Sequence, residues 1–142
     1  RRQPHHHLGS EAMSAILDHV GLRVSDVDRS VAFYRETLGT LGIAVLMDFV
    51  VGGERHVGFG KGKPDFWISG GRPLRGETHV AFTAASRSEV QAFHSVGLSM
   101  GGRDNGAPGV RAQYHPHYFG AFVLDPDGNN VEAVCHRPEI EQ

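Results

Sequence analysis

The scarcities of this chain narrow the field before its motifs do. One cysteine, Cys135, stands in 142 residues, so no internal disulfide can form. Positive charge is not in surplus: 14 Lys and Arg face 16 Asp and Glu, a formal net charge of −2. With no basic cluster, there is no electrostatic case for nucleic acid or an anionic membrane as partner. No apolar run approaches the roughly 18 residues that a membrane-spanning helix needs. A cytoplasmic protein acting on a small molecule is the expectation. Glycine, by contrast, is plentiful: 19 of them suggest many short strands and turns. The length fits one structural domain.

Residues 1–12 carry His5-His6-His7 and Gly9-Ser10 and read as a purification-tag remnant ahead of Met13. Leaving out Arg1, Arg2 and Glu11 moves the formal charge from −2 to −3.

The most informative stretch is Phe119 to His136, FGAFVLDPDGNNVEAVCH. Asp125-Pro126-Asp127-Gly128 is a strong turn signal between two strand-like runs. Glu132 sits inside the second run among small and apolar residues. A carboxylate there is costly to bury unless it is paired, hydrogen-bonded or metal-bound.

Upstream, the chain reads as one pattern twice. Ile16 to Val24 alternates like a strand. Ser25 and Asp28, at capping-box spacing, announce a helix carrying Val27, Val31, Tyr34 and Leu38 and stopped by Gly39. Strands follow over 43–51, 55–60 and 65–69, with turns at Gly52-Gly53 and Gly62-Lys63-Pro64. Thr78 to Ala84 then repeats the first strand. Ser86 and Glu89 cap a second helix, expected to end at Gly97, and one strand is expected near 110–114 before the closing hairpin. The repeat aligns His19 with His79 at an offset of 60, and Phe122 with Val57 and Glu132 with Trp67 at 65. The expected fold is α+β: two βαβββ modules, 13–71 and 72–142.

Strand alternation places His19, His79 and Glu132 on the side that no helix covers. Two imidazoles and one carboxylate form a facial-triad set suited to Fe, Mn, Zn, Ni or Co as a divalent ion. The rival for Glu132 is a pairing with Arg23 or Arg111, which would make a metal-free binding protein. Arg111 to Tyr118 is dense in polar aromatic groups. Tyr118 or His117 could serve as general acid or base, and Arg111, Arg23, Tyr114 and Trp67 could contact substrate. His56 and His94 read as surface or packing residues, and Cys135 as buried packing.

LDHVGLRVSDVDRSVAFYRETLG, THVAFTA and FGAFVLDPDGNNVEAV together resemble the vicinal oxygen chelate superfamily. That family includes glyoxalase I, extradiol dioxygenases, fosfomycin-resistance thiol transferases, methylmalonyl-CoA epimerase and bleomycin-binding proteins. The resemblance implies that the paired βαβββ modules form an open, cupped mixed sheet around a metal held by His19, His79 and Glu132, which chelates vicinal oxygens of a substrate. It also implies a homodimer, since the two modules of a cup often come from different chains. Where glyoxalase I has a fourth-strand carboxylate ligand, this chain has Trp67. A glyoxalase-like lyase or isomerase is therefore expected rather than glyoxalase I itself. An extradiol dioxygenase, a thiol transferase and a metal-free drug-binding protein stand as alternatives.

Overall fold

The computed structural model describes residues 16–73 and 78–139. The expected tag remnant and Met13 lie outside them.

Each half of the chain builds the same unit. The first contains β1 (Val20–Val24), α1 (Val27–Gly39), β2 (Ala44–Val51), β3 (Glu54–Gly60) and β4 (Pro64–Gly70). The second contains β5 (His79–Thr83), α2 (Arg87–Ser99), β6 (Arg103–Val110), β7 (Phe119–Leu124) and β8 (Asn130–Cys135). The sheets run β1-β4-β3-β2 and β5-β8-β7-β6. Both are mixed, with β1 parallel to β4 and β5 parallel to β8. The expected α+β architecture of paired βαβββ units is what forms.

The register supports the repeat. Gly21 pairs with Trp67, and Ala81 pairs with Glu132. His19 and His79 each lie two positions earlier, so the offset of 60 holds there. The expected offset of 65 matches Glu132 with Trp67 but slips by one in the middle strands, because Gly58 pairs with Trp67 and Phe122 with Glu132. Phe122 thus matches Gly58, not Val57. Glycine and phenylalanine share no sequence signal, so only the ladder reveals the slip.

Apolar periodicity explains the helices. In α1, Val31, Phe33, Tyr34 and Leu38 are buried. In α2, Val90, Phe93 and Gly97 are buried. Both faces feed one core, which includes Phe59, Phe66 and Ile68 of the first module and Val123, Val131 and Ala133 of the second. Phe66 and Phe82 meet edge to face, ring centroids 5.0 Å apart, joining the two sheets. The helix-covered sides therefore share an interior, and the other sides face outward.

Some expectations need correcting. β1 begins at Val20, so His19 precedes the strand instead of sitting within it. The N-cap of α1 is Asp26, which accepts from the Arg29 amide, a contact worth about 1 kcal/mol. Helix α2 runs past Gly97 to Ser99, because Gly97 packs where any Cβ would press Val123 at 3.3 Å. β6 occupies 103–110, not 110–114. As an edge strand it tolerates Pro108, and its bulges around Gly106 mask the alternation a reader would look for.

The Asp125–Gly128 turn does more than reverse the chain. Asp125 is buried and accepts from the amides of Asp127 and Asn129, from Asn129 Nδ2, and from Tyr34 Oη of α1 at 2.6 Å. Asp127 accepts from the Ser25 amide at 3.0 Å and from its hydroxyl. Ser25, expected as a helix cap, instead clamps the two modules together.

Candidate metal centre

Glu132 lies mid-strand in β8, flanked by Ala81 of β5 and Phe122 of β7. Only 1 % of the residue is exposed. Its two oxygens point to different partners. Oε1 faces His79 Nε2 at 3.0 Å, and Oε2 accepts from the Tyr118 hydroxyl. This answers the cost of burial: the carboxylate is hydrogen-bonded on one oxygen and paired on the other.

His79 opens β5 on the uncovered face, where His79, Ala81 and Thr83 are exposed and Val80 and Phe82 are not. Its ring stacks on Phe122, centroids 6.0 Å apart. The side chain remains 47 % exposed, so this edge of the site is open.

Tyr118 is wedged among rings: Tyr114 at 4.8 Å, His136 at 5.3 Å and His115 at 5.6 Å. Burial, then its bond to Glu132, pushes the phenol pKa up. Its hydroxyl is a hydrogen-bond donor to the Glu132 carboxylate. Room for it comes from Gly120, where a Cβ would stand 3.0 Å from Glu132 Oε2 and 3.2 Å from Tyr118 Cε1.

His19 is elsewhere. Its Nδ1 bonds Asp18 at 2.8 Å, and its side chain is 58 % exposed. It borders a half-open groove of about 820 Å³ between the modules, lined also by Lys63, Phe66 and Phe82. His79 and Glu132 are not among that groove's lining residues. Among the described residues, no three His, Cys, Asp or Glu side chains gather closely enough to hold a metal ion. One chain thus brings together two corners of the expected triad and leaves the third outside.

The other expected residues divide. Neither arginine pairs with Glu132. Arg23 bonds Glu54 at 2.7 Å and the Gly70 carbonyl at 3.0 Å. Arg111 holds the carbonyls of Gly109 and Ala107, both at 2.8 Å, and lies over Phe122. The backbone amide of His117 donates to His115 Nδ1 at 3.1 Å. Tyr114 is mostly exposed beside Tyr118.

Trp67 sits on the uncovered face of the first sheet. A Cβ at Gly58 would come within 2.8 Å of its Cη2, so the glycine lets the indole lie close to β3. Its N–H is engaged by the Pro64 carbonyl at 3.0 Å. Phe49 meets Trp67 at 5.8 Å and stacks on His56 at 5.5 Å.

Sequence reasoning passed over Phe122, Gly120, His136 and the Asp125–Tyr34 bond. A glycine directly before a continuous apolar run was the one readable sign of Gly120; the others depend on cross-strand register.

Comparison with known proteins agrees with the fold. A family model described as Glyoxalase/Bleomycin resistance protein/Dioxygenase superfamily matches residues 16–133. A Salmonella typhimurium protein named Virulence protein STM3117 is 23% identical over 131 residues, covering 89% of this chain and 88% of that protein. Among solved structures, a glyoxalase/bleomycin resistance protein from Albidiferax ferrireducens aligns with a TM-score of 0.66 at 27% identity. That alignment covers 85% of this chain and 99% of the other. Glyoxalase I from Zea mays aligns at 0.60 and 23% identity, over 85% of this chain and 44% of that one, which shows a shared fold. With its paired βαβββ units and a family match across most of its length, the chain belongs to the glyoxalase/bleomycin resistance/dioxygenase superfamily.

Proposed function

We propose that the protein is a small-molecule metalloenzyme, a glyoxalase-like lyase or isomerase working as a homodimer. His79 and Glu132 of one copy and His19 of a second would hold a divalent Fe, Mn, Zn, Ni or Co ion. The observation that carries the reading is Glu132: a carboxylate buried in a central strand, turned to the uncovered face, with one oxygen beside a half-open imidazole. The donor set of two imidazoles and a carboxylate suits these borderline cations. When bound, such an ion supplies Lewis acidity toward vicinal oxygens of a substrate.

The second copy follows from two features. Among the described residues of one chain, His19 does not gather with His79 and Glu132 into a three-ligand group. The uncovered face of the first sheet also carries Met47, Phe49 and Val51, all exposed. Covering it with the second sheet of another copy hides that apolar surface and brings His19 toward His79 and Glu132. Trp67 and Phe49 then form an apolar wall opposite Glu132 and exclude water from the substrate.

A second reading is a metal-free drug-binding protein. It is favoured by the partners Glu132 already has in His79 and Tyr118. The deciding experiment is elemental analysis of anaerobically purified, tag-free protein beside Glu132→Gln. Stoichiometric metal in the first and its loss in the second support the enzyme. Absence of metal from both, with folding intact, overturns it. Iron would direct attention to the dioxygenase alternative; zinc, nickel, cobalt or manganese to lyase, isomerase or thiol-transferase chemistry.

A further inference from the structure

We infer that Tyr118 is a positioning residue that withholds Oε2 of Glu132, leaving a metal only the oxygen beside His79. The inference rests on the metal reading above and deepens it.

The geometry divides the carboxylate. Oε1 faces His79 Nε2 at 3.0 Å, where an ion sharing the two groups would sit. Oε2 is turned to the Tyr118 hydroxyl. A chelating carboxylate must present both oxygens to one ion. Here a phenol holds the second oxygen, and a hydrogen bond to a charged acceptor is among the stronger kinds.

Three constraints keep the phenol in place. Its ring is bounded by Tyr114, His115 and His136. The missing side chain of Gly120 leaves room for the phenol beside Oε2, where a Cβ would stand 3.0 Å from that oxygen and 3.2 Å from Tyr118 Cε1. The Tyr118 amide donates to the His115 carbonyl at 3.1 Å, and its own carbonyl accepts from the Arg111 amide at 2.7 Å, so the backbone is fixed on both sides. The ring, its slot and its backbone all serve one contact. Groups that orient a ligand in this way set how many positions on the ion stay open. A carboxylate held to one oxygen leaves one more position for a substrate that binds through two oxygens.

The test compares wild type with Tyr118→Phe, which keeps the ring contacts and removes the hydroxyl, using Co(II) as the probe. The visible Co(II) band loses intensity as donors are added. Freed Glu132 should bind through both oxygens, so the band should weaken by at least about twofold in Tyr118→Phe while Co(II) still binds. A merely structural Tyr118 would not move the band. A metal-free arm measures unfolding of wild type, Tyr118→Phe, Glu132→Gln and the double variant. Non-additivity of about tenfold in the folding constant, about 1.4 kcal/mol, is expected. Equal Co(II) bands in the two proteins, loss of Co(II) binding in Tyr118→Phe, or additive unfolding each overturn the proposal. Failure of both proteins to bind Co(II) overturns the metal reading itself and this inference with it, an outcome distinct from the other three.

Discussion

Removing the hydroxyl of Tyr34 should loosen the joint between the two modules by a predictable amount. Tyr34 and Asp125 are both buried, on elements 91 positions apart in sequence, and meet at 2.6 Å. Tyr34→Phe keeps the ring, which packs against Phe33, Phe59 and Phe66. It deletes one donor to a carboxylate that retains the amides of Asp127 and Asn129 and the Asn129 side chain. A hydrogen bond to a charged group contributes about 1.5–3 kcal/mol net. Because three donors remain, about 2 kcal/mol is expected, or roughly 6 °C in Tm at about 3 °C per kcal/mol for a chain of this size. Asp125→Ala, which orphans the Tyr34 hydroxyl and frees three further donors, should cost at least about 3 kcal/mol. The double variant should cost no more than Asp125→Ala alone. Urea unfolding measures all three. A Tyr34→Phe cost within about 0.5 kcal/mol of zero, the usual spread for inconsequential substitutions, would refute the reasoning.

The same pair predicts a pH dependence. Burial first, then Asp125, raises the Tyr34 pKa well above its ordinary 10.0. Above about pH 10 the unfolded chain releases this proton and the folded chain keeps it. The folded state then binds more protons, so stability falls as pH rises, and the contribution is complete only below that range. Tyr34→Phe should show a shallower alkaline decline than wild type.

Three further outcomes follow from packing. Gly58→Ala should push the indole of Trp67, the only tryptophan, off β3 and shift its fluorescence, since the new Cβ would stand 2.8 Å from the ring. An unshifted spectrum would mean that the sheet yields instead. Gly102→Ala should destabilise by about 1–3 kcal/mol in thermal unfolding, because its Cβ would meet Val123 at 2.6 Å and Phe33 at 2.8 Å. Phe49→Glu, placing a charge on the exposed face of the first sheet, should convert a dimer to monomer in light scattering without loss of helical signal; an unchanged mass would count against that face as the interface.

Local signals made much of the fold readable, and cross-strand register hid the rest. Helix faces announced themselves at 3.6 spacing, and Glu132 stood out because a carboxylate in an apolar strand needs a partner. Alternation in β5 is clean enough to read His79 onto the strand's exposed face. The hydrogen bond from Tyr118 to Glu132 was not readable. Tyr118 lies 14 positions away, and nothing local points it at the carboxylate. Arg23 and Arg111 attracted attention as cations near the site, yet both are engaged by nearby carbonyls, and Arg23 by Glu54 as well. Ser25 read as a helix cap because its spacing to Asp28 is right; its actual partner, Asp127, is 102 positions away. Alternation brought His19 to the same kind of face as His79, but a face is not a place. Only the arrangement of the two sheets shows that one chain does not gather both histidines around Glu132.

Complementation between two defective variants tests the shared metal site most directly. His19→Ala and Glu132→Gln are each expected to lose metal in equilibrium dialysis with Zn(II). If each site takes His19 from one copy and Glu132 from the other, refolding an equal mixture restores one intact site in every mixed dimer, about a quarter of all sites by random pairing. Recovery near that level is the predicted result. No recovery, or full binding by His19→Ala alone, would contradict the account.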